Sequence, residues 1–180
     1  GGSGNLLLLQ ALKNLGKLKE GEKIGFSALT WSTNTMPIIQ MGLVPVAIDV
    51  DPKTLNAMSE SVRKCHEQEG IKGFFSTNVL GFCGDLGAIK STCDELGIVY
   101  IEDNCESLGT KVNKKFTGAF GIASTFSFFV AHHMSTIEGG MLCTDDDDLA
   151  EMLKISRANG WDRNLNPFQQ KKWRQQFSID

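Results

Sequence analysis

The stretch "DLGAIKSTCDELGIVYIED", residues 85–103, joins an amphipathic segment to a short apolar run that ends in two carboxylates. The amphipathic part predicts a helix, and Gly97 is suited to end it as a left-handed C′ residue. The apolar run that follows is rich in β-branched and aromatic residues, which predicts a strand. We therefore expect a helix followed by a buried strand that ends at Glu102 and Asp103.

The same alternation continues in both directions along the chain. It predicts strands at residues 23–29, 44–50, 73–79, 98–103, 123–129 and 139–145. It predicts helices at residues 5–15, 33–41, 54–68, 86–96 and 146–159. Parallel neighbouring strands need crossover connections, so this order predicts an α/β fold, in which a mostly parallel, mixed sheet is covered by helices on both faces.

Local capping signals support these helix positions. Thr54 and Asp85 each precede an amphipathic segment and are predicted to cap the helix that follows. The acidic run "DDDD", residues 145–148, suits the positive dipole end of a helix. At the start of the chain, "GGSGN" predicts a glycine turn before a helix, where free backbone N–H groups would suit a phosphate; a plain helix cap or a linker remnant is the alternative.

Composition narrows the class of protein. The chain has 180 residues, 41% of them hydrophobic and 22% charged, which predicts one soluble globular unit. The sequence has no apolar run long enough to predict a membrane span, and no basic segment before an apolar one that would predict a signal peptide. The net charge of −3 argues against nucleic-acid binding, and the basic stretch "QQKKWRQQ" at 169–176 is interpreted as a solvated helix face. The five cysteines lack metal-binding spacing, which favours reduced thiols in the cytoplasm.

Polar residues that follow predicted strands are the candidates for a functional site, because ligands collect at the carboxyl ends of parallel strands. Asp103 ends a buried strand, where a carboxylate is costly unless it meets a cation, a metal or a hydrogen-bond donor. It is a candidate for function, with a helix cap as the alternative. Trp31 follows the first strand, where it would stack on a flat ligand or serve in packing.

The segment "FSFFVAHHMSTIEGGM", residues 126–141, crowds Ser127, His132, His133 and Glu138 into a short stretch after a strand. Adjacent histidines on an extended backbone point in opposite directions, so we expect one of them to face a pocket. Metal binding is the weaker interpretation, because His66 lies far off in a predicted helix and no H-E-x-x-H motif occurs. A serine hydrolase is disfavoured because no G-x-S-x-G motif occurs.

Four segments in order resemble one family over residues 2–163. They are "GSGNLLLLQAL" (2–12), "ALTWSTNTMPIIQMGLVPVAIDVDPKTLN" (28–56), "GFCGDLGAIKSTCDELGIVYIEDNCESLGT" (81–110) and "GAFGIASTFSFFVAHHMSTIEGGMLCTDDDDLAEMLKISRANGWDR" (118–163). Together they resemble the DegT/DnrJ/EryC1/StrS sugar aminotransferase and dehydratase family of type I enzymes, which use pyridoxal 5′-phosphate (PLP) or pyridoxamine 5′-phosphate (PMP). The resemblance implies that residues 1–163 are the large cofactor-binding domain, and that residues 164–180 are a helix leading toward a smaller C-terminal domain.

The resemblance also implies roles for individual residues. Those expected to contact the cofactor are Gly2, Ser3, Trp31, Asp103, Glu106 and Ser127. Asp103 would accept a hydrogen bond from the protonated pyridine nitrogen, and Trp31 would stack on the ring. The backbone of Gly2 and Ser3 and the hydroxyl of Ser127 would meet the phosphate. Glu106 stands where the aminotransferases usually have Gln, near the ring.

One departure from the family pattern carries the functional expectation. The aminotransferases attach the cofactor to a lysine, and this sequence has His132 at that place. A histidine there is similar to the branch of deoxysugar 3-dehydratases. The implied reaction removes the C3 hydroxyl of a nucleotide-linked 4-keto-6-deoxysugar, with GDP or CDP as the nucleotide. An imidazole suits this reaction because it can accept a proton and later donate one.

The resemblance has further implications. Residues 156–180 contain no cysteine, which favours the dehydratases without an iron–sulfur cluster, in which L-glutamate regenerates the amine form of the cofactor. A cytoplasmic homodimer in lipopolysaccharide O-antigen synthesis, with no metal at the site, is the corresponding expectation. Two alternatives remain: an aminotransferase whose lysine has moved, with Lys111, Lys114 and Lys115 outside the motif, and a non-catalytic binding protein on the same fold.

Overall fold

A computed structural model describes residues 1–179, and at their centre lies a six-stranded mixed sheet. Its strands are β1 (Lys23–Ser27), β2 (Val44–Ile48), β3 (Gly73–Thr77), β4 (Val99–Asp103), β7 (Ala123–Ser127) and β8 (Gly140–Cys143). Their order is β2-β1-β3-β4-β7-β8, and only β8 runs antiparallel to its neighbour. A separate small hairpin joins β5 (Lys111–Val112) and β6 (Lys115–Phe116). The predicted α/β class and all six predicted sheet strands are confirmed.

Helices cover both faces of this sheet. They are α1 (Gly2–Asn14), α2 (Ser32–Gln40), α3 (Ser59–Glu69), α4 (Leu86–Leu96), α5 (Asp147–Arg157) and α6 (Pro167–Phe177). One apolar core joins α1, α2, α5 and α6 to the sheet, with Leu8, Ile38 and Leu149 fully buried. A second core, which includes Val62 and Ile89, joins α3 and α4 to the opposite face. The two helical layers leave the carboxyl edge of the parallel strands free for a site.

The central strand β4 shows how the sequence pattern places side chains. Ile101 belongs to the first core and Tyr100 to the second, as the two-residue period of a strand requires. The strand ends at Asp103, which pairs with Thr77 at the end of β3. Consecutive parallel strands therefore bring their final polar residues together at one edge.

Two of the capping predictions were wrong. Helix α3 begins at Ser59, and Thr54 lies in a preceding turn where the Asp51 carbonyl oxygen accepts hydrogen bonds from the N–H groups of Thr54 (3.1 Å) and Leu55 (2.7 Å). Leu55 has φ of 57°, which does not continue into a right-handed helix. Asp85 directs its carboxylate across to α3, where Oδ1 accepts a hydrogen bond from the Ser59 N–H at 2.8 Å. It therefore caps the neighbouring helix instead of its own.

Two other end signals hold, but the prediction of a glycine turn before the first helix was wrong, because α1 already begins at Gly2. Gly97 ends α4 in the left-handed conformation with φ of 65°. Within the acidic run, Asp146 caps α5 by accepting a hydrogen bond from the Leu149 N–H at 2.9 Å. The basic stretch is the exposed face of α6, but Trp173 turns inward and joins the first core. The last helix thus packs against α5.

Two further features concern the described residues as a whole. All five cysteines are free thiols; Cys65 and Cys93 are buried, and the other three are partly exposed. None of the helices within residues 1–179 has the length and apolar character needed to cross a lipid bilayer.

Candidate active site

A cavity of about 790 Å³ opens at the carboxyl edge of the sheet. Its walls come from the start of α1, the loop between β1 and α2, the end of β4 and the segment after β7. Lining residues that were predicted from the sequence are Gly2, Trp31, Asp103, Glu106, Ser127, His132, His133 and Glu138. The fold therefore gathers residues from four separate stretches into one concave surface.

Asp103 lies at the bottom of this cavity and is only 4% exposed. Its Oδ2 atom accepts hydrogen bonds from the Nδ2 groups of Asn5 and Asn34, each at 2.9 Å. Its Oδ1 atom accepts one from the Cys105 backbone N–H, also at 2.9 Å. The carboxylate is held by neutral donors and keeps acceptor capacity toward the cavity.

Trp31 and Glu106 form a pair on the cavity wall. The indole Nε1–H of Trp31 donates to Oε1 of Glu106 at 3.1 Å, and the Leu80 backbone N–H donates to Oε2 at 2.9 Å. Trp31 is 65% exposed, so one side of its ring is free of protein. An aromatic ring that is fixed at one edge and open on its side is suited to stacking on a flat ligand.

The start of α1 forms the second wall. The helix begins at Gly2, and its backbone N–H groups before Asn5 have no partner inside the helix. Ser127 lies beside this turn, where its Oγ accepts hydrogen bonds from the Gly1 nitrogen (3.0 Å) and the Phe129 N–H (3.3 Å). A Cβ at Gly2 would lie 3.2 Å from Cγ2 of Thr33, so glycine keeps this corner open.

Ser3 is the predicted site residue that does not line this cavity. It is exposed and faces an adjoining cavity of about 1020 Å³, which shares Gly2 and Glu138 with the first. Its side chain is therefore separated from Asp103 and Trp31, although its backbone belongs to the same helix turn as Gly2.

The histidine segment differs from the expectation. Residues 129–138 form a succession of turns and bends, closed at the base by the hydrogen bond from the Phe128 N–H to the Gly139 carbonyl oxygen at 2.9 Å. The prediction of an extended backbone that turns only one histidine toward the pocket was wrong, because both His132 and His133 line the cavity. His132 is the more buried of the two, and its ring meets that of Phe129 edge to face at 6.5 Å.

Asn5 and Asn34 were missed by sequence reasoning. Asn5 directly precedes the four leucines of α1 and Asn34 lies in the first turn of α2; both are almost wholly buried. Polar residues near the start of a helix are common, so the sequence pattern gives no signal that these two are buried or that they share a partner.

Glu102 lies outside the cavity, although it precedes Asp103. It is fully buried on the other face of the sheet, and its carboxylate accepts hydrogen bonds from the backbone N–H groups of Gly118 (2.9 Å), Phe120 (2.7 Å) and Gly121 (2.8 Å). This carboxylate holds the loop that leads into β7.

Cys105 is the thiol at the cavity. Burial raises the pKa of its side chain far above the ordinary range, and the negative charge of Asp103 raises that pKa further. The thiol therefore stays protonated at neutral pH and is not suited to act as a nucleophile.

A family comparison agrees with this arrangement. The sequence model of the DegT/DnrJ/EryC1/StrS aminotransferase family matches residues 1–178. The chain belongs to this family.

Individual members of the DegT/DnrJ/EryC1/StrS family show where the similarity is strong. The chain is 38% identical over 170 residues to GDP-4-keto-6-deoxy-D-mannose 3-dehydratase from Yersinia pseudotuberculosis, an alignment that covers 93% of this chain and 43% of that protein. It matches the structure of the E. coli GDP-4-keto-6-deoxy-D-mannose-3-dehydratase with bound hydrated PLP with a TM-score of 0.86 and 38% identity, over 92% of this chain and 43% of the other. A structure of GDP-4-keto-6-deoxymannose-3-dehydratase with a trapped PLP-glutamate geminal diamine matches with a TM-score of 0.86 and 37% identity, over 92% and 43% of the two chains. The chain thus spans less than half the length of these relatives.

Proposed function

We propose that this chain is the cofactor-binding part of a PLP/PMP-dependent 3-dehydratase that acts on a nucleotide-linked 4-keto-6-deoxysugar. The observation that carries the proposal is that His132 lies on the cavity wall. By the resemblance described above, this residue corresponds to the lysine of the aminotransferases. Within residues 1–179, no lysine lines that cavity. Lys111, Lys114 and Lys115 lie on or within the β5–β6 hairpin, and none of them belongs to the cavity wall.

The residues present fit the cofactor at both of its ends. The carboxylate of Asp103 is suited to the protonated ring nitrogen, and the open side of Trp31 is suited to the ring. The glycine-rich start of α1, with Ser127 beside it, offers unpaired N–H groups and a hydroxyl to a phosphate. Gly2 and Ser3 would contribute backbone N–H groups. Glu106 would hold the Trp31 indole in place through the hydrogen bond described above.

When bound, the cofactor in its amine form would supply an amino group to the C4 ketone of the sugar and the electron pair needed to break the C3–O bond, and it would end as the aldehyde with its nitrogen released as ammonia. The imidazole of His132 would accept the proton from the C4′ carbon of the cofactor and would give a proton to the departing C3 hydroxyl oxygen, which would leave as water. L-glutamate is the proposed amino donor that would restore the amine form. Asp103 would hold the proton on the ring nitrogen.

The similarity to GDP-sugar dehydratases favours GDP as the nucleotide. A place in lipopolysaccharide O-antigen synthesis in the cytoplasm is a further part of this proposal. We also propose a homodimer. Leu80 (68% exposed) lines the cavity, and Val130 (64%) and Ile137 (79%) lie in the neighbouring segment 129–138; a second copy would cover these exposed apolar side chains. By the same resemblance, residues 1–163 form the large domain, and 164–180 lead toward a smaller one.

The first prediction concerns His132→Asn in the longest natural polypeptide that contains these residues. Asparagine keeps a polar side chain of similar reach but cannot carry a proton in the way that imidazole does. We expect PLP binding within about threefold of the unsubstituted protein and a loss of C3 deoxygenation of at least about a hundredfold. Equilibrium dialysis with PLP and mass spectrometry of the sugar nucleotide measure the two quantities.

His133→Asn is the matched control, and it should retain most of the activity. Unchanged dehydration by His132→Asn would contradict the role of His132. Borohydride reduction of the PLP-loaded protein distinguishes the aminotransferase alternative, because a covalently labelled lysine peptide would show that a lysine carries the cofactor.

A further inference from the structure

We propose that Asn5 and Asn34 are positioning residues for Asp103, an inference that rests on the cofactor binding in the proposed function and not on the dehydration step. Both side-chain amides donate from Nδ2 to the same atom, Oδ2 of Asp103, at 2.9 Å. Asn5 is 0% exposed and Asn34 is 1% exposed, so water does not compete for these hydrogen bonds. The two amides fix which carboxylate oxygen is occupied by protein and which one is offered to the cavity.

The number of hydrogen bonds that the Asp103 carboxylate can accept supports these separate roles for its two oxygens. An ionised carboxylate offers about four lone-pair positions, two on each oxygen. The two amides occupy Oδ2, and the Cys105 N–H occupies one position on Oδ1. One position on Oδ1 is left, and it would receive the N–H of the cofactor ring.

The chemical nature of the two donors also points to this role. Among residues 1–179, no lysine, arginine or histidine forms an ion pair with Asp103. A cation at that place would compensate the negative charge that is needed opposite a protonated ring nitrogen. Neutral amides orient the carboxylate and leave its charge available.

Asn5 connects the two ends of the proposed cofactor site. It lies one turn after Gly2 on α1, and its Nδ2 also donates to the Thr33 carbonyl oxygen at 3.0 Å. The Asn5 side chain therefore connects the first turn of α1, the start of α2 and the end of β4. A direct hydrogen bond thereby sets the distance between the first turn of α1, which would hold the phosphate, and Asp103.

The two amide oxygens carry an energetic cost that a purely structural residue would avoid. Oδ1 of Asn5 and Oδ1 of Asn34 are buried without any hydrogen-bond partner. Buried polar atoms without partners are uncommon because each loses its hydration. Apolar residues at these two places would leave no such orphan oxygens, so the N–H donors explain why amides stand there.

The test replaces each amide by an apolar side chain of similar size, in Asn5→Leu and Asn34→Leu. Nitrogen NMR of PLP labelled at the ring nitrogen reports whether that nitrogen is protonated, and equilibrium dialysis gives the affinity. We expect each variant to bind PLP about tenfold more weakly and to move the ring-nitrogen signal toward the unprotonated form. Asn5→Ala and Asn34→Ala give the same readout if a leucine variant does not fold.

Asn56→Leu is the matched control. Asn56 is equally buried, but its Nδ2 donates to the carbonyl oxygens of Thr54 and Phe82 instead of Asp103. Its substitution should lower the melting temperature and leave the ring-nitrogen signal in place.

If the ring signals of both Asp103-facing variants equal that of the unsubstituted protein, the positioning role is overturned and the proposed function stands. If the unsubstituted protein binds PLP with a protonated ring nitrogen but removes no C3 hydroxyl, the proposed function fails and the positioning role stands.

Discussion

At the residue scale, Tyr100 shows what burial does to an ionisable side chain in this fold. It lies on β4 beneath Phe74, with the two rings stacked at 5.8 Å, and it is 3% exposed. Burial raises the pKa of its phenol well above 10.0, and the nearby Glu102 raises that pKa further. The folded state favours the neutral phenol of Tyr100. The stability that this phenol contributes is therefore complete below the ordinary pKa of tyrosine, and it declines as the pH rises above that pKa.

The second prediction follows from this shift. The chain contains one tyrosine, so the ultraviolet absorption of tyrosinate reports on Tyr100 alone. We expect that absorption to appear only at the alkaline pH where the protein unfolds, together with the loss of helical circular dichroism. Tyr100→Phe should fold and should lack the absorption change. Tyrosinate absorption near pH 10 in a protein that keeps its circular dichroism would contradict the prediction.

Single residues could be predicted from the sequence where residue type and place in a pattern were enough. Asp103 ends a predicted strand, Ser127 lies near the end of another, and Trp31 follows a third, so the topology alone brings them to one edge. Asn5 and Asn34 could not be connected with Asp103 in this way. They are 98 and 69 residues away along the chain, and only the packing of α1 and α2 brings them to that carboxylate.

At the element scale, the attachment of α6 depends on one carboxylate of α5. Glu151 accepts hydrogen bonds from Trp173 Nε1 (2.7 Å), Gln169 Nε2 (2.6 Å) and Lys172 Nζ (3.1 Å). Burial alone would raise the pKa of Glu151, but the hydrogen bonds from Lys172, Trp173 and Gln169 outweigh it and hold that pKa below 4.5. This stabilisation is present above the ordinary pKa and is lost as the pH falls through the lowered value.

The third prediction is that Glu151→Gln destabilises the protein by about 1–3 kcal/mol at neutral pH, because charge-assisted hydrogen bonds are replaced by weaker ones. Urea unfolding measures the change. The difference between the two proteins should shrink as the pH falls through the lowered pKa of Glu151, where the carboxylate of the unsubstituted protein becomes protonated. Glu67→Gln, an exposed position on α3, should change stability by less than about 0.5 kcal/mol. An equal effect of both substitutions would show that Glu151 does not anchor α6.

Elements were predicted more reliably than the contacts between them. The alternation of apolar runs and amphipathic segments is local, and it gave the strands and helices in their correct order. Asp85 was misassigned because a carboxylate before a helix has the same local signature whether it caps that helix or another one. Only the packing of α3 beside α4 brings Ser59 to Asp85.

At the scale of the whole molecule, the fold keeps its thiols unreactive. Burial raises the pKa of all five cysteines, to about 11 for Cys83 and about 12 for Cys93. The thiolate is the reactive form, so little of it exists near neutral pH in the folded protein.

The fourth prediction is slow thiol modification of the native protein. At pH 8, a thiol-specific disulfide reagent should react much more slowly with the folded protein than with the protein in concentrated urea, where five thiols per chain should react at once. Rates of thiol release measure this difference. Rapid native reaction of a single thiol would contradict the prediction, and mass spectrometry of the labelled peptide would identify it.

The antiparallel strand β8 has a consequence for how such a scaffold changes its chemistry. Because β8 returns beside β7, the turns of residues 129–138 are clamped at their base by the hydrogen bond between Phe128 and Gly139. Residues inside a clamped loop can be exchanged at little cost to the sheet. A single replacement there would alter the side chain that we propose as proton carrier and would leave the sheet unchanged, so new reactions could evolve on this framework without rebuilding it.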